Sequence, residues 1–206
     1  MADNIFNLYM DFLMSSFKAT PAPTLSEMTN GKISHDKITR FLRFDEIGSK
    51  KLWKYAKPLI REIEADDGVI IVDDSISEKP YTDENEIICW HWDHSKQRNS
   101  KGINFVSCLY VSNDISVPVD CEIVRKTKIV IDEKIGKKKR LSDRSKNEIF
   151  RDLILGAKRK NVKFRLVLAD IWYNSSENMK YLYHKLKKDF IFPLKSNRKI
   201  ALSKKE

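Results

Sequence analysis

Several features that would assign a class at once are scarce or missing from this sequence. Its three cysteines, Cys89, Cys108 and Cys121, are odd in number and far apart, which argues against a disulfide framework and fits a reducing cytoplasm. Only six glycines occur in 206 residues. No phosphate-binding P-loop, dinucleotide fingerprint, nucleophile elbow or kinase signature is present. No apolar run approaches the roughly 18–20 residues that span a bilayer. The opening "MADNIFNLYMDFLMSS" carries Asp3 and Asp11 and no basic start, so it reads as a first helix rather than a signal peptide.

What is present is charge, unevenly placed. The net charge is +10, with 41% hydrophobic and 33% charged residues, a soluble globular balance. Residues 125–165 hold 16 Lys/Arg against 5 Asp/Glu, and residues 185–206 hold 8 against 2. Residues 1–124 are instead acidic, with 14 basic and 20 acidic residues. A basic half of this kind suits a polyanionic partner, nucleic acid before anionic membrane, with a merely solvated face as the plain alternative.

Residues 1–66 read as a helical N-terminal region able to contact DNA, and residues 67–206 as a separate domain. Ser34 can cap a helix whose face carries Ile38, Phe41 and Leu42. Leu52, Ala56, Leu59, Ile60 and Ile63 recur at helical spacing, with Pro58 as a kink or break. "TPAPTLSEMTNGK" between the first two helices reads as a connector. From residue 68 the pattern becomes strands: "GVIIVDD", then "NFVSCLYVS" and "ISVPVDCEIV" joined at Asn113-Asp114, with Pro118 forcing an edge or a bulge. Ser145 and Glu148 form a capping box ahead of Ile149, Phe150, Leu153, Ile154 and Ala157. "FRLVLAD" is a strand, and Met179, Leu182, Tyr183 and Leu186 mark a helical face before the short strand "FIFPL". The order is β-β-β-α-β-α-β, a mixed α/β sheet behind a small helical domain.

Two apolar strands end on an acid, "VIIVDD" at Asp73 and Asp74 and "RLVLAD" at Asp170. If both are central strands of one direction, their carboxyl ends share the sheet edge where open α/β sheets place ligands. Converging carboxylates repel unless a cation intervenes. Oxygen-only ligands suit Mg²⁺ or Mn²⁺, which activate an oxygen nucleophile and stabilise the leaving oxygen of a phosphoryl transfer. "CWHWDH" brings Cys89, His91 and His94 together but misses the paired spacing of structural zinc sites, and its tryptophans alternate as in a strand or loop between the first two sheet strands.

The strand order, with the words "VDDS", "SKGINFVSCLYV", "LADIWYNSSENMKYL" and "FIFPLKSNRKI", resembles bacterial insertion-sequence transposases with a DDE (Asp-Asp-Glu) catalytic domain. The nearest branch is the one related to the insertion-sequence-four family. The resemblance covers about residues 68–202. It implies a ribonuclease-H-like core, metal-dependent DNA cleavage and strand transfer, Mg²⁺ or Mn²⁺ as cofactor, and double-stranded DNA at transposon ends and target as partner. A homodimer on DNA is compatible with it, no membrane is involved, and the location is the bacterial cytoplasm at the nucleoid. The family's first acid falls on Asp74, directly before Ser75, and the second on Asp170, both as metal ligands and catalytic groups. Asp73 is then a neighbour facing the other side of the strand. Lys195, Asn197 and Arg198 match a stretch that approaches DNA, and Lys101, Lys137, Lys138, Lys139 and Arg140 are further nucleic-acid candidates.

The family's third acid, a Glu in a Tyr-Arg…Glu…Lys signature, has no counterpart here. Glu206 follows Asp170 after an interval seen in integrase-like relatives, but "SKKE" offers no amphipathic helix and a terminal residue is a poorly held ligand. The expectation is an incomplete transposase, inactive alone, or a non-catalytic DNA-binding remnant or regulator of transposition.

Overall fold

The structure, a computed structural model, describes residues 2–17, 19–44, 48–131, 136 and 138–198. By packing it divides into two units, Met1–Lys51 and Leu52–Glu206. In the first, α1 (Ala2–Ser15), α2 (Ala22–Met28) and α3 (His35–Phe44) close over Phe12, Leu25 and Ile38. Ser34 caps α3, its hydroxyl accepting the Lys37 amide at 3.3 Å. Helix α2 lies where a connector was expected. Its prolines are Pro21 at the cap and Pro23 in the first turn, where a missing amide costs no helical hydrogen bond. Leu25 then has an apolar centre to fill.

Helix α4 (Ser49–Ile63) gives Ala56 and Ile60 to the core of the second unit. Pro58 does not break it. The carbonyl it frees belongs to Lys54, and both residues are exposed, so water replaces the lost bond.

The second unit is a mixed sheet built from β1 (Val69–Glu78), β2 (Ile88–Asp93), β3 (Arg98–Ser112), β4 (Ile115–Ile123), β7 (Leu166–Ala169) and β8 (Asp189–Ile191), in the order β2-β3-β1-β7-β8. β4 pairs with β3 beyond β2, along residues 105–112. Strands β1, β7 and β8 run parallel, and β3 is antiparallel to β1. This is the ribonuclease-H-like arrangement, with β2 added where the Trp90/Trp92 alternation stands. β5 (Lys128–Ile131) and β6 (Lys138–Leu141) form a separate two-stranded ribbon.

Local chemistry explains the connections. Asn113 and Asp114 both adopt positive φ, 49° and 62°, between the paired Ser112 and Ile115. That is the two-residue turn whose twist suits a hairpin. Pro118 sits opposite Leu109, and the register shifts between Cys108 and Leu109, the bulge its missing amide demands. Gly102 lies against β1, where a side-chain Cβ would stand 2.3 Å from the Ser77 carbonyl oxygen. Only glycine fits that approach.

Helix α5 (Lys146–Arg159) starts with both bonds of the Ser145/Glu148 capping box and buries Ile149, Phe150, Leu153, Ile154 and Ala157. They join Ile70, Val72, Val106, Cys108 and Val167 in one core. After β7, a 3-10 turn (Ile171–Tyr173) leads into α6 (Ser176–Lys180), which continues as a π turn over Tyr181–Leu186. Helix α6 buries Asn178, and the wider turn buries Leu182 and Leu186 and leaves Tyr183, expected on the apolar face, 62% exposed. No helix among the described residues is long and apolar enough to cross a membrane.

Candidate active site

The carboxyl ends of β1 and β7 meet. Their parallel ladder runs from Val69 beside Leu166 to Val72 beside Ala169. One residue further on each chain stand Asp73 and Asp170, and Asp170 keeps an extended backbone (φ −69°, ψ 166°). Residues paired across a ladder share a face of the sheet, and neighbours along a strand alternate. Asp73 therefore faces away from Ile70 and Val72, while Asp74 shares their face, beneath α5.

The three carboxylates are held differently. Asp74 Oδ2 accepts from Lys146 Nζ at 2.6 Å and Asn104 Nδ2 at 3.2 Å, and its Oδ1 accepts from the Tyr173 hydroxyl at 3.2 Å. Asp73 and Asp170 are exposed. Each uses Oδ1 to accept the amide of its own next residue, Asp74 and Ile171 respectively. Tyr173 feels the charge of all three. Burial, then the charge and hydrogen bond of Asp74, then the charges of Asp73 and Asp170, keep its hydroxyl protonated well above the usual tyrosine range. The ring is fixed by stacking on Phe150, centroids 5.2 Å apart.

A second layer lies behind Asp74. His91 on β2 is 6% exposed and its Nε2 is 3.3 Å from Cys89 Sγ. Burial, followed by the positive charges of Lys126 and Lys146 and opposed by Asp74, brings its imidazole down to about 4. The folded chain thus refuses a proton that the unfolded chain takes near 6.5. Stability from this group is complete above that value and declines as pH falls from 6.5 towards 4. Between pH 7.5 and 5 the loss should be about 1–2 kcal/mol, read from urea unfolding, and His91→Gln should flatten that part of the profile. His94 does not join Cys89 and His91. It stacks on Trp172 at 3.9 Å and accepts from Trp92 Nε1 at 3.1 Å. Among the described residues, no group of three or more His, Cys, Asp or Glu is arranged to hold a metal ion.

Oxygen donors at this edge suit a hard divalent cation, which binds through one or two carboxylates plus substrate oxygens. The buried Asn104 Oδ1 has no hydrogen-bond partner, so unmet acceptor capacity extends behind Asp74. Asp73, Asp170 and Asp74 are the side chains able to take part.

The basic candidates spread over several elements. Lys195 lies at the acidic edge, its Nζ 4.6 Å from the Trp172 ring centre, and Asn197 and Arg198 follow it exposed. Lys101 is on β3 opposite Trp90. Lys138 and Lys139 are exposed on β6, while Arg140 pairs with Glu84 at 3.2 Å. Lys137 and Glu206 lie outside the described residues. The Lys146–Asp74 pair was not foreseen, because the two residues are far apart in the sequence and only the packing of α5 on β1 brings them together.

A model of the protein family described as "DDE superfamily endonuclease" matches residues 5–205. The chain belongs to the DDE superfamily endonucleases. No curated protein matches it. Among solved structures, the Drosophila P element transposase strand transfer complex is similar at 14% identity and a TM-score of 0.37, over 91% of this chain and 36% of that one. The Mos1 mariner paired end complex with Mn is similar at 10% identity and a TM-score of 0.31, over 92% of this chain and 58% of that one. This DDE superfamily chain therefore spans less than two thirds of either.

Proposed function

We propose that the chain supplies metal-binding acids and DNA-contacting surface to a DNA transposase that cuts and joins double-stranded DNA. Membership of the endonuclease family supports the reaction class. The observation that carries the site is the meeting of Asp170 with the Asp73-Asp74 pair at the carboxyl ends of two parallel strands. When bound, Mg²⁺ or Mn²⁺ supplies an activated oxygen nucleophile and stabilisation of the leaving oxygen. The carboxylates orient that cation. Lys195 offers a positive charge to a phosphate at the same edge, and Lys138 and Lys139 offer two more on the β5–β6 ribbon.

A second reading has its own support. Asp74 is already paired with Lys146, and among the described residues no group of three or more His, Cys, Asp or Glu is arranged to hold a metal ion. That favours a DNA-binding remnant or regulator of transposition without catalysis.

Supercoiled plasmid incubated with the chain separates the two. We expect nicking that needs Mn²⁺ and stops on chelation. Binding should weaken about a hundredfold between 50 and 200 mM salt, for roughly four phosphate contacts. Equally salt-sensitive binding with no nicking at any Mn²⁺ concentration would favour the non-catalytic reading.

A further inference from the structure

We infer that the indoles of Trp90 and Trp92, with the polar groups beside them, form a platform that stacks the bases of single-stranded nucleic acid. The platform needs no cation and takes nucleotides that have left a duplex, so it stands apart from the metal reading above.

Strand alternation builds it. Along β2, Cys89, His91 and Asp93 turn into the protein, while Trp90 and Trp92 turn outward. The two indoles are 53% and 47% exposed, although a buried indole would contribute a large apolar gain. Same-face neighbours on a strand stand about 6.6 Å apart, roughly twice the 3.4 Å rise of stacked bases. That spacing leaves room for a base at each ring.

The surroundings suit nucleotides. Across the ladder, Lys101 is level with Trp90 and Asn99 with Trp92, so each ring has a cation or an amide on its own face. Among the described residues, Lys101 has no carboxylate partner and no ring or cation stacks on Trp90. A lysine beside an open aromatic face is the pairing that holds a phosphate and its base together. An aliphatic partner would leave both polar groups unused.

The aromatic row continues from there. Trp92 Nε1 donates to His94 Nδ1 at 3.1 Å, His94 stacks on Trp172 with centroids 3.9 Å apart, and Lys195 Nζ stands 4.6 Å from the Trp172 ring centre. These contacts fix Trp92 and Trp172 before any ligand arrives, which lowers the ordering cost of binding. They also join the β2–β3 turn to the segment after β7. A base inside a duplex has both faces covered by its neighbours, so the rings select unpaired nucleotides.

Fluorescence anisotropy of labelled oligothymidylate and oligouridylate with the full chain, in EDTA, tests the platform. The unmutated chain should bind at least one oligomer, the two arms telling DNA from RNA. Trp90→Ala should weaken that binding about tenfold, the loss of one stacked base. Trp90→Phe keeps a π face and should recover most of it; Trp90→Leu keeps only apolar bulk and should not. Duplex DNA affinity should move less than about twofold in all three, and far-ultraviolet circular dichroism should not change. Unchanged single-strand affinity in Trp90→Ala or in Trp90→Leu, equal losses for duplex and single strand, or no binding of either oligomer by the unmutated chain would overturn the inference. Plasmid nicking with Mn²⁺ reads the metal site separately, so failure of one does not stand for failure of the other.

Discussion

Phe150→Ala is expected to lower the stability of the second unit by about 4 kcal/mol. Phe150 is fully buried on α5, stacked on Tyr173 at 5.2 Å and edge-on to Phe192 at 5.9 Å. Truncation removes most of a buried ring and leaves a cavity between the helix and the segment after β7. Two aromatic contacts are lost as well, each worth about 0.5–1.5 kcal/mol beyond its area. A domain of this size is stable by only about 5–15 kcal/mol, so urea unfolding should show a large fall in midpoint. Phe150→Leu, which keeps most of the volume, should lose roughly half as much. The effect reaches the site through Tyr173, whose hydroxyl is bonded to Asp74.

Asp170→Asn is expected to slow Mn²⁺-dependent nicking on the order of a thousandfold, with DNA affinity changed less than about twofold. Asparagine retains a side-chain oxygen able to accept the Ile171 amide, so the 3-10 turn and the Trp172 and Tyr173 side chains keep their places. What it loses is the negative charge on the outward oxygen. The lysines proposed to contact DNA are untouched, so binding should persist. Initial nicking rates and a binding isotherm at one salt concentration distinguish this from general damage, which would lower both.

Much of this fold is legible in the residues because the signals are local. The capping box at Ser145/Glu148, the turn at Asn113-Asp114 and the bulge forced by Pro118 each follow from chemistry within a few positions. Strands ending on acids also show that an acidic edge exists. Which acid faces which is not local: it depends on the register between β1 and β7, which about a hundred residues of chain separate. The Lys146–Asp74 ion pair and the His94–Trp172 stack are hidden for the same reason. Helix α2 was obscured by prolines that mark a connector in general but tolerate the first turn of a helix. The exposed Tyr183 followed from a π turn, whose wider spacing leaves a heptad-like pattern out of step.

A Mn²⁺ titration of the unmutated chain beside Asp170→Asn bears most directly on whether the ends of β1 and β7 form a metal centre. The account predicts saturable binding in the unmutated chain and at least tenfold weaker binding in the variant, with unchanged far-ultraviolet circular dichroism. Equal affinity in both, or no binding in either, would contradict it.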